Sequence, residues 1–142
     1  MTQLYSANNR QALLHEHCMK ATPQRLAIAD LMLTNPTHAT AQQVYELLKE
    51  NFPSISQNTV YLTLANFEES GLLRRFFADG RMIFDSNTSL HHHACCSQCG
   101  VISDIPEKRK PAHPNQLSDW HIHNETRTWT GFCPDCCDSN TA

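Results

Sequence analysis

Two pairs of cysteines have the spacing of metal ligands. Cys96 and Cys99 form one Cys-x-x-Cys pair, and Cys133 and Cys136 form the other. Two thiolates on one tight turn can reach one ion, and a second pair completes the tetrahedron that a structural Zn²⁺ accepts. Four sulfur ligands close the coordination shell. We therefore predict a structural zinc, whose binding energy would help to fold a domain too small for a full core.

Redox thiols that form disulfides are the alternative interpretation of these pairs. Seven cysteines are an odd number for a disulfide framework, and the N-terminal segment MTQLYSANNR lacks the apolar core of a signal peptide. Metal binding in a cytoplasmic protein is the favoured interpretation. Cys95 and Cys137 adjoin the pairs, and no role is assigned to them. Cys18 is predicted to be a buried apolar residue.

Histidines and carboxylates form a second group of possible ligands around the three consecutive histidines at positions 91–93. In a strand, His91 and His93 point to the same face, and His92 points to the other. Nitrogen and oxygen donors suit Fe²⁺, Mn²⁺, Co²⁺, Ni²⁺ or Zn²⁺ better than Mg²⁺ or Ca²⁺. For His38 alone, a solvated loop position is the alternative. The candidate ligands of this second site are His38, Asp85, His91, His93 and Asp104.

Three helices are predicted in the first 85 residues, each with a start signal. Thr22-Pro23 supplies an N-cap and a proline at the first helical position, residues 40–43 form a capping box, and Ser56 is an N-cap. Gly71 lies at the end of the third helix. Apolar residues follow the first cap at Leu26, Ala29, Leu31 and Leu33. The predicted buried face of the second helix carries Val44, Leu47 and Leu48, and Val60, Leu64 and Phe67 have helical spacing in the third.

A β-hairpin is predicted directly after the third helix, because apolar segments 72–78 and 81–84 flank Asp79-Gly80. Three helices and a two-stranded hairpin indicate a winged helix, whose third helix would enter the major groove of DNA. A helical domain that binds no nucleic acid is the alternative. Because residues 86–89 form a polar connector, we expect a winged-helix DNA-binding domain at 1–85 and a dimerisation and metal-binding domain at 86–142.

Net charge, the length of apolar segments and the motifs that are missing from the sequence limit the classes of protein to consider. The net charge of −3 leaves DNA binding open, provided that basic residues are concentrated on one side. No apolar segment approaches the roughly 20 residues of a membrane span, so no membrane partner is expected. We expect no enzyme, because H-E-x-x-H and deaminase patterns are missing from the sequence; a zinc-dependent hydrolase is the remote alternative. A zinc-containing protein-interaction module would leave the winged helix unexplained.

Together, several motifs resemble the ferric uptake regulator family over nearly the whole chain. The motifs are Lys20-Ala21-Thr22-Pro23-Gln24-Arg25, His38-Ala39-Thr40-Ala41, residues 58–64 (NTVYLTL), Gly71-Leu72, the three histidines and the two cysteine pairs with Gly100. The resemblance implies an α+β fold, with an N-terminal winged helix-turn-helix domain and a small C-terminal α/β dimerisation domain that contains structural zinc. It also implies a homodimer that represses transcription by binding a palindromic double-stranded DNA operator when a regulatory metal is present.

The resemblance also assigns the ligands. Cys96, Cys99, Cys133 and Cys136 would hold zinc, and the histidine–aspartate group would hold the regulatory ion. The aspartates make the chain most similar to the peroxide-responsive branch, in which Fe²⁺ reacts with hydrogen peroxide and a ligand histidine, corresponding to His38 or His91, is oxidised. Iron sensors often carry glutamates at the two aspartate positions, and zinc sensors a cysteine near Asp85. Iron sensing ranks second and zinc sensing third, with Mn²⁺ or Zn²⁺ as alternative ions.

The expected DNA contacts lie in the winged helix. Lys20 and Arg25, with Arg74, would meet phosphates. Many family members carry arginine or asparagine at the position of Leu62, so a DNA contact made by those side chains does not carry over to this chain. The residues expected to face the groove are Gln57, Asn58, Thr59 and Tyr61, and a weaker expectation is a further metal site from His92, His121, His123 and Glu125.

Overall fold

The computed structural model describes residues 7–34, 38–108, 113–123 and 125–139 of the 142-residue chain. The chain divides into two compact units, Met1–Thr88 (unit 1) and Ser89–Ala142 (unit 2). Helices and strands both occur, which confirms the predicted α+β class. Within the described part of the chain, no helix is both long enough and apolar enough to cross a membrane.

Unit 1 contains the predicted winged helix. One helix and one short strand, α1 and β1, add to the predicted elements. The three strands form an antiparallel sheet in the order β1-β3-β2. The elements are α1 (Ala7–Glu16), α2 (Pro23–Leu33), β1 (His38–Ala39), α3 (Ala41–Leu48), α4 (Gln57–Glu69), β2 (Arg74–Ala78) and β3 (Arg81–Asp85).

Local hydrogen bonds explain where the helices begin. The Thr22 hydroxyl accepts from the backbone N–H of Arg25 at the start of α2. Thr40 and Gln43 form the predicted capping box of α3, with reciprocal bonds of 3.1 and 2.9 Å. Ser56 accepts from the Thr59 N–H at 3.0 Å before α4. Each bond satisfies a backbone donor that the helix itself cannot pair.

The hairpin of unit 1 follows its turn chemistry. Asp79 and Gly80 both have positive φ, at 52° and 70°, as a two-residue type I′ turn requires. Ala78 pairs with Arg81, and β2 pairs with β3 residue by residue. Strand β2, the first strand of the hairpin, begins at Arg74, two residues later than predicted.

Two predictions about burial in unit 1 are wrong. Leu47 was placed on the buried face of α3, but it is 61% exposed, while Val44 and Leu48 enter the core. Cys18 is exposed, not buried. With φ of +58°, it follows the end of α1, where its N–H bonds to the His15 carbonyl and the next N–H bonds to the Leu14 carbonyl. This is a Schellman motif, which requires a left-handed residue at this position.

Unit 2 is a small sheet with little apolar core. Its central strand, β4 (His91–Cys96), lies between the antiparallel strand β5 (Ile102–Pro106) and the parallel strand β6 (Thr128–Gly131). Among the described residues of this unit, the buried side chains are three cysteines and three histidines: Cys95, Cys96, Cys136, His91, His92 and His93. The elements are β4 (His91–Cys96), β5 (Ile102–Pro106), a short 3₁₀ helix (Asn115–Leu117), β6 (Thr128–Gly131) and α5 (Pro134–Ser139).

Candidate metal centres

The four cysteines of the two Cys-x-x-Cys pairs meet in unit 2. Cys96 ends β4, and Cys99 lies in the turn that follows. Cys133 comes after β6, and Cys136 lies in α5. One sulfur atom from each residue lies within 4.8 Å of the other three. Parallel pairing of β4 with β6 sets Cys96 opposite Gly131 and so brings the two pairs together.

The four-sulfur group has the dimensions of a zinc site. The sulfurs of Cys99 and Cys133 are 3.8 Å apart. Four ligands about 2.3 Å from a tetrahedral Zn²⁺ lie about 3.8 Å from one another. All seven cysteines are free thiols, whereas a disulfide needs sulfurs about 2.05 Å apart. The donors and their spacing therefore fit zinc.

Electrostatics within the four-sulfur group also favour a cation. Backbone N–H groups of Cys99 and Cys133 point at the Cys96 sulfur and lower its pKa to about 6. The pKa of Cys136 is raised to about 12, first by its hydrogen bond with the Cys133 side chain and then by burial. Without a cation, the Cys96 thiol ionises readily whereas the Cys136 thiol resists ionisation, so the four sulfurs do not all become thiolates. A divalent ion removes this conflict, because it is bound by thiolates.

Three candidate regulatory ligands lie together on one face of the sheet in unit 2. His91 and His93 alternate along β4, and His93 is paired with Asp104 of β5. The Nε2 atoms of the two histidines are 3.0 Å apart. Oδ1 of Asp104 lies 3.4 Å from Nε2 of His91 and 3.6 Å from Nε2 of His93. Strand alternation and register thus place two nitrogens and one oxygen together.

The orientation of His91 is fixed by a backbone contact. Its Nδ1–H donates to the Ser89 carbonyl at 2.7 Å, so Nε2 of the neutral ring presents a lone pair to His93 and Asp104. Hydrogen bonds of this kind commonly hold metal-ligating histidines. Two nitrogens about 2.1 Å from one ion, at a right angle, are about 3.0 Å apart. The observed separation fits a shared transition-metal ion.

The other two candidate regulatory ligands lie together in unit 1. His38 of β1 is paired with Asp85 of β3, and Nε2 of His38 is 3.6 Å from Oδ2 of Asp85. Oδ1 of Asp85 accepts from the Asn87 N–H at 2.9 Å, which orients the buried carboxylate. The rings of His38 and Phe76 pack edge to face, with their planes at 85°. Strand β1, which sequence analysis did not predict, is what brings His38 to Asp85.

His92 lies on the opposite face of β4 and is held by hydrogen bonds on both ring nitrogens. Nδ1 accepts from the Arg127 N–H at 3.1 Å, so Nε2 carries the proton and donates to Glu107 at 2.6 Å. Glu125 pairs with Arg127 and His113. His121 and His123 contact each other through their rings. Within the described residues, these side chains do not form a close group of metal-ligand atoms.

The candidate DNA-binding residues occupy α4 and the segment before α2. Gln57, Asn58 and Tyr61 are exposed on α4, and the Tyr61 ring rests against Phe84. The Thr59 hydroxyl contacts the capping Ser56 at 2.8 Å. Lys20 is exposed, and the Arg25 guanidinium, half-buried, donates to the Lys20 carbonyl at 3.2 Å.

A winged helix and metal-ligand groups define a class of protein, the metal-responsive transcription regulators. The chain belongs to the ferric uptake regulator family, whose model matches residues 16–126. It is 33% identical over 129 residues to the peroxide-responsive repressor PerR of Staphylococcus saprophyticus, covering 88% of this chain and 87% of that protein. The expected family membership and fold are confirmed.

Solved structures of the family have the same fold. The Helicobacter pylori ferric uptake regulator, with three functional metal-binding sites, matches with a TM-score of 0.71 and 15% identity, over 99% of this chain and all of the other. A zinc uptake regulator in complex with zinc and DNA matches with a TM-score of 0.67 and 16% identity, over 96% and 95% of the two chains.

Proposed function

We propose that this chain is a metal-dependent repressor of transcription that binds Fe²⁺ at the histidine–aspartate site and responds to hydrogen peroxide. A structural Zn²⁺ would be held by the four-sulfur group. The nearest support for the peroxide branch is the 33% identity to a peroxide-responsive repressor, which extends over most of both chains. Two aspartates and three histidines supply only nitrogen and oxygen donors, which suit Fe²⁺ and Mn²⁺.

The observation that carries the proposal is that each unit presents an incomplete ligand set. Unit 1 contributes His38 and Asp85, and unit 2 contributes His91, His93 and Asp104. Two or three donors leave a transition-metal ion short of its usual shell. Asp85 and His91 are only six residues apart, a reach of at most about 20 Å of extended chain. We propose that one ion takes both ligand sets.

A shared ion would explain regulation. Fe²⁺ that needs ligands from both units binds most tightly to the arrangement of the units that completes its shell, and so raises the population of that arrangement. If only that arrangement fits DNA, metal binding and DNA binding become coupled. In a homodimer on a palindromic operator, the two copies of α4 would then lie about 34 Å apart, one turn of the duplex.

Unit 2 has the surface expected of a dimerisation domain. Its exposed nonpolar side chains include Trp129 at 50% and Phe132 at 56% exposure, beside a cavity of about 290 Å³. Large exposed apolar areas are typical of protein interfaces. We therefore propose that residues 86–142 dimerise. We also propose that residues 1–85, which contain the winged helix, bind DNA and that the protein acts in the cytoplasm.

Bound Fe²⁺ would supply the reducing electron that opens the O–O bond of hydrogen peroxide. In the net reaction, in which iron would regain that electron, one peroxide oxygen would enter a ring C–H bond of a ligand histidine, and the other would leave as water with both peroxide hydrogens. His38 and His91 are the proposed targets. An oxidised ring would bind the ion less well, so the repressor would release DNA.

Selection from a random duplex library, followed by fluorescence anisotropy, tests metal-dependent DNA binding. Protein loaded with Zn²⁺ at the four-sulfur group is titrated with Mn²⁺ or Fe²⁺ under anaerobic conditions. His38→Ala should lose at least tenfold in metal-activated DNA affinity and keep its zinc. The matched control is His121→Ala, an exposed histidine outside both ligand groups. DNA binding that does not depend on the second metal would overturn the shared-ion proposal.

Peroxide challenge separates the branches of the family. Fe²⁺-loaded protein should gain one oxygen on His38 or His91, detected by peptide mass spectrometry, and the Mn²⁺-loaded protein should not. Activation by Fe²⁺ with no histidine oxidation would indicate an iron sensor instead. Activation by Zn²⁺ alone, at concentrations beyond those that fill the four-sulfur group, would indicate a zinc sensor.

A further inference from the structure

The outer face of α4 carries an exposed leucine among polar side chains. Val60, Thr63, Leu64 and Phe67 turn inward and are buried. The opposite face carries Asn58, Tyr61, Leu62, Ala65 and Asn66, spaced as one stripe along the helix. Leu62 lies in the middle of this stripe and is 51% exposed, and Tyr61 beside it is 39% exposed.

Leu62 has no evident role in folding unit 1. It is absent from the core cluster, which takes its α4 side chains from the inward face of the helix. Exposed helix positions away from caps and core contribute little to stability. Leu62 is therefore an apolar side chain on the exposed face of α4 that is available for contact with another molecule.

The residue types on this stripe limit which bases it can recognise. Helix α4 contains no lysine or arginine, the side chains that most often bind the major-groove edge of guanine. Asparagine can bind adenine, and an apolar side chain can contact only the C5-methyl group of thymine. Leucine has no hydrogen-bonding group, so in the major groove thymine is the one base that offers it a matching partner.

We propose that Leu62 is a specificity-determining residue that packs against the C5-methyl group of a thymine in the major groove. The inference rests on the proposed function, in which α4 is the recognition helix. Leu62 thus distinguishes thymine from cytosine by the presence of a methyl group, without a hydrogen bond. The contact occurs once in each half of a palindromic operator.

Deoxyuridine tests the contact directly, because it differs from thymidine only by the missing C5-methyl group. The operator is the duplex selected from a random library by the Mn²⁺-loaded protein. Each thymine of one half-site is replaced in turn by deoxyuridine, and affinities are measured by fluorescence anisotropy. At one position the replacement should weaken binding by about fourfold, the effect of one buried methyl-sized group.

Leu62→Ala should bind the thymine and deoxyuridine duplexes equally at that position, because the partner of the methyl group is gone. Leu47→Ala is the matched control: Leu47 is a comparably exposed leucine on α3, and its variant should keep the fourfold effect. Retained zinc and an unchanged far-ultraviolet circular dichroism spectrum show that both variants are folded.

The outcomes are distinguishable. If Leu62→Ala keeps every deoxyuridine effect of the unsubstituted protein, or weakens all duplexes by one common factor, Leu62 contacts no thymine methyl and the inference is wrong. If the library yields no metal-dependent sequence at all, the proposed function fails, and the inference fails with it.

Discussion

Removing one ligand from the four-sulfur group should unfold unit 2 and leave unit 1 folded. The described part of unit 2 buries no large apolar side chain, since its buried residues are cysteines and histidines. The core cluster of nonpolar side chains lies entirely in unit 1. A structural zinc typically contributes about 10–16 kcal/mol, which is as much as the whole stability of an ordinary domain, about 5–15 kcal/mol. Without zinc, unit 2 has no comparable source of folding free energy.

The perturbation is Cys99→Ala. Cys99 is exposed, so its truncation removes little packing and chiefly removes a ligand. Four of the five described α-helices lie in unit 1, and α5 has six residues, so the helical circular dichroism signal reports mainly on unit 1. Hydrogen exchange followed by mass spectrometry reports on β4. Amides of β4 should exchange at the rate of an unfolded peptide, while the amides of α2 and α4 stay protected and most of the helical signal remains.

Cys137→Ala is the matched control, because Cys137 is an exposed cysteine next to a ligand but outside the four-sulfur group. It should keep both its zinc and the protection of β4. If Cys99→Ala preserved β4 protection in the presence of a strong chelator, the zinc would not be the main source of stability in unit 2. Simultaneous loss of the helical signal would show that unit 1 cannot fold without unit 2.

Three further predictions follow from individual contacts. Cys18→Gly should stabilise unit 1 by about 0.5–1 kcal/mol in urea denaturation, because glycine adopts positive φ without a steric cost; Cys18→Ala should give no gain, and an equal gain would point to the thiol instead of the backbone. Thr40→Ala should lower the stability of unit 1 by about 1 kcal/mol in the same assay through loss of the capping box, and an unchanged midpoint would contradict this. The protein should bind two tight transition-metal ions per subunit, one at the four-sulfur group and one at the histidine–aspartate site. It should bind no third ion at His92, because both ring nitrogens of His92 are engaged in hydrogen bonds. His92→Gln should therefore leave the number of ions unchanged in elemental analysis, and a third ion that disappears in this variant would contradict the prediction.

Features that depend on a few neighbouring residues were predictable from sequence. Thr22, Thr40 and Ser56 cap the helices that they precede, because each bond joins residues three positions apart. Asp79-Gly80 sets the hairpin, because both residues tolerate positive φ. Alternation along β4 places His91 and His93 on one face.

Features that depend on distant parts of the chain needed the tertiary structure. The exposure of Leu47 contradicted the prediction, because burial is set by what packs against a helix and not by the periodicity of the helix itself. The exposure of Cys18 did so because this residue takes the left-handed position that ends α1 instead of packing in the core. His38 lies beside Asp85 because the two-residue strand β1 pairs with β3, whose Asp85 comes 47 positions later in the chain. No local sequence pattern predicts this pairing. The sequence alone determined which side chains can bind metal, through donor chemistry and spacing. Only strand register decided which of them face one another, because pairing partners are chosen by the whole packed sheet.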